Sequence, residues 1–134
     1  MLVALWLGSA NFVRAGADTL PGDPVRGEQV YQRCLACHAL AYNRTGPRHC
    51  GVIGRRAGSL DDFQYSPAMR AKNLVWTAET LDAFLKAPTL YVPGTTMGYA
   101  GVEQVADRRD LIAFLVVISN DSERCAVTTG EGLE

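Results

Sequence analysis

The sequence predicts a single all-α domain with about three main helices and further short ones. Three segments carry apolar residues at helical spacing, and no run of convincing length alternates apolar and polar residues as a half-buried strand does. The 134 residues suffice for one compact domain but not for two. Two long stretches rich in glycine and proline, 39–65 and 88–101, separate the helices. Loops of this length are uncommon in a small domain unless another group organises them, which favours a buried cofactor.

Each of the three predicted helices has its own boundary signals. The first should begin at Asp23, whose side chain can cap it, and end near His38. The second should lie between the cap Thr77 and the stop Pro88. The third should extend over about 104–119. Its expected apolar face consists of Val105, Leu111, Ile112, Leu115, Val116 and Ile118.

The composition and charge exclude several classes of protein. Hydrophobic residues make up 48% of the chain and charged residues 20%, as in ordinary globular domains and unlike disordered or fibrous proteins. Thirteen Lys and Arg residues are balanced by 14 Asp and Glu residues, which gives a net charge of −1. Because nucleic-acid binding requires a basic surface, we do not expect a nucleic acid as partner.

Residues 1–17 are predicted to be a secretory signal, with the cleavage sequence Ala15-Gly16-Ala17. The apolar run Leu2–Leu7 is far shorter than the roughly 20 residues that a membrane-crossing helix needs. We therefore expect no transmembrane span in the mature chain and a periplasmic location, or the intermembrane space in a eukaryote. The alternative is that this run forms the first strand or helix of the domain, since a positively charged n-region is missing. The expected domain is 18–134, with a core at 22–119 and a polar tail at 120–134.

Cys34, Cys37 and His38 form a Cys-x-x-Cys-His motif, the signature of covalent c-type haem attachment. Two thiols three positions apart on a helical turn share one face and can form thioethers to the two vinyl groups of one haem. The next residue, His38, is then placed under the iron as an axial ligand. The alternatives are a redox-active cysteine pair, which would need a preceding strand and no histidine, and half of a zinc site, which would need two more ligands.

Beyond this motif the chain resembles the class I cytochromes c, over residues 22 to about 119. The matching segments are Gly27 with Tyr31, Cys34 to His38, Thr45-Gly46-Pro47, Gly54-Arg55-Arg56-Ala57-Gly58, Phe63-x-Tyr65-Ser66, Val75-Trp76, Glu79-Thr80-Leu81, Val92-Pro93-Gly94-Thr95-x-Met97, Tyr99-Ala100-Gly101 and Asp110 to Leu115. The resemblance implies the cytochrome c fold, in which helices wrap around one covalently bound haem c. It also implies that the first and last helices cross at Gly27.

The resemblance implies a second axial ligand, Met97, in the sequence Pro93-Gly94-Thr95-Thr96-Met97. A thioether is a soft, neutral ligand that favours ferrous iron, and ligation by His38 and Met97 together raises the reduction potential. The carbonyl of Pro47 is implied to accept the Nδ1 proton of His38, which directs Nε2 toward the iron.

Four further residues are implied to bind the haem propionates. Arg55, Tyr65 and Trp76 would do so by hydrogen bonds and charge, and Thr95 would bond the inner propionate. Such partners are needed because an unpaired carboxylate in an apolar pocket costs several kcal/mol. Taken without the resemblance, each would be read as a surface arginine or a half-buried aromatic residue.

Two positions depart from the family's commoner pattern, because His49 and Cys50 stand where it has Leu and His. With Cys34 and Cys37 committed to haem, we expect Cys50 and Cys125 to form a disulfide. A buried Cys50 with a free Cys125 is the alternative. We expect His49 to be a packed or surface residue rather than a competing iron ligand.

The function implied is that of a non-enzymatic, monomeric one-electron carrier, with one redox protein as donor and another as acceptor. One alternative is a haem-based gas sensor or peroxidase-like protein in which Met97 is labile. Another is a cytochrome subunit of a membrane-associated redox complex. Thr89, Leu90 and Thr96 occupy positions where many family members carry lysines, so we do not expect recognition through a lysine ring.

Overall fold

The computed structural model describes residues 21–126. The expected signal at 1–17 and the end of the polar tail at 127–134 lie outside these residues. The described helices are α1 (Pro24–Tyr31), α2 (Pro67–Ala71), α3 (Ala78–Lys86), α4 (Pro88–Tyr91) and α5 (Val105–Ser119). Within 21–126 there is no β-strand, only an isolated antiparallel bridge between Arg56 and Val75. The all-α prediction is confirmed, and no helix in this range has the length and apolarity to cross a membrane.

Helix α1 begins at its predicted cap but ends earlier than predicted. The Asp23 carboxylate accepts hydrogen bonds from the N–H groups of Val25 at 2.9 Å and Arg26 at 3.4 Å. The predicted end near His38 was wrong, because α1 stops before the Cys-x-x-Cys-His motif. A tighter 3₁₀ turn, Gln32–Cys34, leads into the motif instead.

The early end of α1 coincides with a change in the backbone hydrogen-bond pattern. The Leu35 N–H donates to the Gln32 carbonyl at 3.4 Å and the Cys37 N–H to the Cys34 carbonyl at 3.1 Å, so these bonds span three residues instead of the four of an α-helix. The Leu35 carbonyl then accepts a hydrogen bond from Arg44 Nη1 at 2.5 Å, and the Cys37 carbonyl accepts one from the Gly46 N–H at 2.8 Å. The motif therefore lies in a turn that is tied to residues 44–46.

Helix α3 has the predicted boundaries. Thr77 Oγ1 accepts a hydrogen bond from the Thr80 N–H at 3.3 Å, and Thr80 Oγ1 accepts one from the Thr77 N–H at 2.8 Å. This reciprocal pair is a capping box. Pro88 cannot continue α3, since it has no N–H, and it begins α4. The buried face of α3 consists of Leu81, Phe84 and Leu85.

Helix α5 buries a narrower apolar face than predicted. Its buried apolar residues are Leu111, Ile112, Phe114, Leu115 and Ile118. Val105 and Val116, which were predicted to belong to this face, are 50% and 40% exposed. At about 100° per residue, both lie roughly 120° or more around the helix from Leu111, away from the core. The core therefore packs on one side of α5 only.

Helices α1 and α5 touch at Gly27. A Cβ atom on Gly27 would overlap the Asp110 carbonyl and lie 2.8 Å from the Cβ of Phe114. Beside this contact the buried Asp110 carboxylate accepts hydrogen bonds from the Asp23 N–H at 2.8 Å and from Arg26 Nε at 3.0 Å. The backbones come this close because Gly27 has no side chain.

The segment after α5 returns to the loop that follows the motif. Cys50 and Cys125 lie in disulfide geometry, with a Cα–Cα distance of 5.7 Å. Nearby, Ser119 Oγ accepts a hydrogen bond from the Ile53 N–H at 3.0 Å. The first residues of the predicted tail are therefore packed against the domain.

We expect Gly27→Ala to lower the free energy of unfolding by about 3 kcal/mol, because the added methyl group forces α1 away from α5. The gain in helix propensity, about 1 kcal/mol, is too small to offset this. Urea unfolding of the purified protein measures the difference. Gly51→Ala is the control, since its Cβ would meet nothing within 4 Å and only its φ of +68° opposes the change, at about 1–2 kcal/mol. Equal losses in the two variants would contradict the role given to Gly27.

Candidate cofactor-binding site

A cavity of about 400 Å³ lies between the helices and the two glycine- and proline-rich stretches. It is lined by every residue that sequence analysis assigned to the cofactor: Cys34, Cys37, His38, Pro47, Arg55, Tyr65, Trp76, Thr95 and Met97. The cavity thus brings the Cys-x-x-Cys-His motif together with Met97 from the other end of the domain. It also explains the long irregular stretches, which form its walls.

The rest of the wall is mostly apolar. Sequence analysis named none of these residues as cofactor-binding, although several belong to the predicted helical faces. They include Val52, Met69, Leu81, Phe84, Leu85, Leu111 and Leu115. The apolar faces of α3 and α5 were the available signal, but periodicity alone does not say whether a face meets another helix or a cofactor.

The two cysteines of the motif line the cavity, and neither is placed in a disulfide. The Cys37 N–H donates to the Cys34 carbonyl at 3.1 Å, and the His38 N–H donates to the same carbonyl at 2.9 Å. Burial raises the pKa of the Cys34 thiol to about 11, while nearby Arg33 acts in the opposite direction. A tight turn thus places both cysteines and the histidine at one wall.

His38 is buried and fixed by its backbone surroundings. Its Nδ1 lies 2.7 Å from the carbonyl oxygen of Pro47. A carbonyl only accepts hydrogen bonds, so Nδ1 carries the proton and Nε2 keeps its lone pair. Burial lowers the pKa of His38, and the Pro47 hydrogen bond acts in the opposite direction. The lowered pKa favours the neutral form of the ring, which can ligate a metal. Gly46 lies against the ring, and a Cβ there would overlap it.

His49 packs on the same wall, as a packed residue was expected to do. Its ring stacks on His38 with 4.1 Å between centroids and 22° between planes. Its Nδ1 lies 3.0 Å from the hydroxyl of Tyr31. Burial, with smaller contributions from His38 and Arg55, lowers the pKa of His49 well below its usual value. Sequence analysis did not foresee the polar contact to Tyr31.

Arg55 is the one basic side chain that was predicted to reach the cofactor. Its Nη2 donates to the Arg48 carbonyl at 2.8 Å and its Nη1 to the Cys50 carbonyl at 3.1 Å. Its Nε is buried and finds no hydrogen-bond partner in the described part of the chain. Burial lowers the pKa of Arg55, and nearby Tyr65 acts in the opposite direction. A buried, unpartnered guanidinium nitrogen fits an acidic group of a ligand.

The other three predicted propionate-binding residues line the same cavity and differ in burial. Trp76 is buried, and its backbone N–H donates to the Arg55 carbonyl at 2.9 Å. Tyr65 is half-buried against Phe63, with ring centroids 4.8 Å apart, and burial raises its pKa. Thr95 Oγ1 accepts a hydrogen bond from the Met97 N–H at 3.2 Å, so it fixes the Met97 backbone.

Two cationic side chains hold the segment that carries Met97. Before it, Lys72 Nζ donates to the Tyr91 carbonyl at 2.9 Å. After it, the buried Arg108 donates through Nη1 to the carbonyls of Val102 at 2.8 Å and Glu103 at 3.2 Å. Arg108 Nε also pairs with Asp82 of α3 at 2.6 Å. Sequence analysis did not assign Lys72 or Arg108 to the site, because a single Lys or Arg outside a motif usually lies on the surface and has no spacing that would indicate such a role.

These donors fit the haem that the motif implies. Two free thiols, a buried imidazole with an available Nε2 and a thioether meet at one largely apolar cavity. The unpartnered Nε of Arg55 provides a buried cation for a propionate. Thioether attachment, axial ligation and charge compensation are therefore all available from side chains at this wall.

Comparison with known proteins finds relatives that this chain matches over most of their length. No family model matches the chain. It is 45% identical over 104 residues to cytochrome c 2.1 of Caenorhabditis briggsae, covering 75% of this chain and 93% of that one. It is 45% identical over 109 residues to cytochrome c2 of Rhodomicrobium vannielii, covering 79% and 87%. Among solved structures, cytochrome cH from Methylobacterium extorquens matches with a TM-score of 0.70 and 35% identity, covering 72% and 99%.

We expect Arg108→Leu to lower the free energy of unfolding by about 3 kcal/mol, because it leaves the buried Val102 carbonyl without its donor. Amide hydrogen exchange over 92–103 should become faster than in the unsubstituted protein. Arg56→Leu is the matched control, since Arg56 is exposed and its loss should cost no more than about 0.5 kcal/mol. Unchanged exchange over 92–103 in Arg108→Leu would contradict the anchoring of this segment.

Proposed function

The chain belongs to the class I cytochrome c family, and from this premise we propose that His38 and Met97 are the axial ligands of its haem. As a member of this family it is an electron-transfer protein rather than an enzyme, with a c-type haem attached covalently through two cysteines. The observation that carries the proposal is that His38 and Met97, distant in sequence, line one cavity with Cys34 and Cys37. The haem supplies one iron that alternates between ferric and ferrous states, so one electron is carried at a time.

The thiols of Cys34 and Cys37 are proposed to form the two thioethers. Both line the cavity, and the turn that joins them brings His38 to the same wall. Pro47 holds the Nδ1 proton of His38 by a 2.7 Å hydrogen bond, which leaves Nε2 as the donor atom. That hydrogen bond also raises the basicity of the imidazole and fixes its orientation.

Met97 supplies a neutral sulfur, which favours the ferrous state relative to a charged ligand. The hydrogen bond from its N–H to Thr95 and the bonds made by Arg108 and Lys72 hold its segment against the cavity. If His38 and Met97 both ligate the iron as proposed, no position would be left open for a substrate. The chain would then move electrons without rearranging these two side chains.

Arg55, Trp76, Tyr65 and Thr95 are proposed to bind the propionates. Arg55 is the best supported of these, since its Nε is buried without a partner within 21–126. A buried cation beside the propionates offsets their charge and keeps the carboxylates ionised. The apolar residues that line the rest of the cavity would limit the rearrangement of solvent when the charge of the iron changes.

The alternatives raised by the sequence have no support among the relatives. The names of those relatives are those of cytochromes c, c2 and cH. A gas sensor or peroxidase-like protein would need Met97 to leave the iron. A permanent subunit of a membrane-associated complex would need a lasting interface, for which the described residues offer no evidence.

This chain is proposed to be a monomer, and its partners are proposed to be redox proteins. Leu90 is 80% exposed, and Thr89 and Thr96 are exposed as well. None of these three positions carries the lysine that many family members have. Recognition is therefore proposed to depend on apolar and hydrogen-bonding contacts at these positions.

Ligation is tested by the far-red sulfur-to-iron band of the ferric protein. We expect this band in the unsubstituted protein and in Met69→Leu, and its loss in Met97→Leu. Met69 is the matched control because it is a buried methionine that lines the same cavity. In the ferrous state only Met97→Leu should bind carbon monoxide rapidly at neutral pH. An unsubstituted protein without the band that binds carbon monoxide rapidly would overturn the carrier function.

The proposed location is an oxidising compartment to which the protein is exported, the periplasm in a bacterium. Bacterial cytochromes c2 are among the relatives, and Cys50 and Cys125 have the geometry of a disulfide. Disulfides persist in such compartments and are rare in the cytosol. The signal at 1–17 stays a prediction, since those residues lie outside 21–126.

We expect the Cys50–Cys125 disulfide to stabilise the protein by about 4–5 kcal/mol, because it closes a loop of 75 residues. The double variant Cys50→Ala, Cys125→Ala should lose this amount in urea unfolding. Ser122→Ala, an exposed change in the same terminal segment, should change stability by no more than about 0.5 kcal/mol. A thiol assay on denatured, unreduced holoprotein should detect no free thiol. Two reactive cysteines would contradict the disulfide.

A further inference from the structure

We propose that His49 is a positioning residue for His38, fixing the plane of its ring and lowering the reduction potential relative to an aliphatic residue. The proposal rests on the proposed ligation by His38. His49 stands where the family's commoner pattern has Leu, so this chain has an imidazole at a position that an aliphatic side chain could fill. The structure shows what that imidazole contacts.

The ring of His38 is confined by three neighbours. Pro47 accepts a hydrogen bond from one edge, through Nδ1, at 2.7 Å. His49 covers one face, with 4.1 Å between ring centroids and 22° between the planes. Gly46 lies against the ring as well, where no side chain would fit. A rotation of His38 that kept the Pro47 hydrogen bond would still have to break the stack with His49.

His49 is in turn fixed by the helical core. Its Nδ1 lies 3.0 Å from the hydroxyl of Tyr31, which is 1% exposed. The Tyr31 ring packs on Phe114 of α5 with 5.1 Å between centroids. The plane of His38 is thus linked through His49 and Tyr31 to the crossing of α1 and α5.

A polar ring at this wall needs a reason, since an apolar side chain would fill the space without requiring a partner. Burying an imidazole costs free energy unless its polar atoms are bonded. The Tyr31 hydroxyl provides that bond for one of the two ring nitrogens, Nδ1, so the two residues form a polar pair beside His38. Such a pair changes the electrostatics of the neighbouring ligand, which a leucine cannot do.

The stack of His49 on His38 should lower the reduction potential. An imidazole ligand carries more positive charge when its iron is ferric. The π face of a neutral aromatic ring is electron-rich and attracts positive charge. His49 therefore stabilises the oxidised state more than an aliphatic residue does. Polarity beside a ligand acts in the same direction, since an apolar shell disfavours the more highly charged state.

The test is the reduction potential of holoprotein variants. We expect His49→Leu to shift the ferric-to-ferrous equilibrium three- to tenfold toward ferrous, where tenfold corresponds to about 59 mV. Tyr31→Phe keeps the His49 stack but removes its hydrogen bond, so it should shift the potential in the same direction by less. Tyr42→Phe, the removal of a hydroxyl from an exposed tyrosine, is the matched control and should leave the potential unchanged.

A second measurement separates positioning from packing. The rhombic EPR spectrum of the ferric protein depends on the orientation of the axial ligands, so it should change in His49→Leu and Tyr31→Phe. In the double variant His49→Leu, Tyr31→Phe, the shift in reduction potential should equal that of His49→Leu alone, because Tyr31 acts on His38 only through His49. A variant that only loosens the fold would lower the melting temperature without changing either readout.

The outcomes are distinct. If His49→Leu retains the sulfur-to-iron band but its potential and EPR spectrum match those of Tyr42→Phe, the inference is wrong and the carrier function stands. If His49→Leu does not yield holoprotein, Tyr31→Phe decides, and an unchanged potential and spectrum overturn the inference. A missing band in the unsubstituted protein overturns the proposed function instead.

Discussion

The close approach of α1 to α5 at Gly27 is the constraint on which the rest of the structure depends. The Asp110 carbonyl occupies the space that a side chain at Gly27 would need. This contact joins the two ends of the domain and places Tyr31 against α5. From there the chain enters the turn that carries the cysteines and His38. An error in this crossing would therefore displace one whole wall of the cavity.

The irregular stretches are ordered by hydrogen bonds that replace regular secondary structure. The Gly46 N–H donates to Cys37, the Gly54 N–H to Trp76, and Arg55 donates to two carbonyls of its own loop. Arg108 does the same for the segment after Met97. Backbone groups that lack a helix or sheet partner must find another one when buried. In these stretches Arg55 and Arg108 donate hydrogen bonds to backbone carbonyls that lack a helix or sheet partner. This role explains why arginine side chains extend into the interior of a chain of near-neutral charge.

Sequence patterns predicted the parts of the fold that depend on local chemistry. The caps Asp23 and Thr77 and the stop at Pro88 lie where expected, since capping involves only neighbouring residues. The end of α1 and the exposure of Val116 were mispredicted because both depend on what packs nearby. Arg108 and the pair of Tyr31 and His49 were not assigned to the site at all. Their contacts join residues distant in sequence, and no spacing pattern records such contacts.

By itself, the sequence determined the chemistry of this protein. The Cys-x-x-Cys-His motif specifies thioether attachment and an imidazole, because those functions need particular atoms at fixed local spacing. The resemblance to the family added the thioether of Met97. Only the tertiary structure decided how these atoms are oriented. It brought Met97 to the cavity that Cys34 and His38 also line. It left Arg55 Nε buried without a partner among residues 21–126 and stacked His49 on His38. The physical reason is that orientation and burial are set by packing between distant segments, whereas reactivity belongs to the side chain itself.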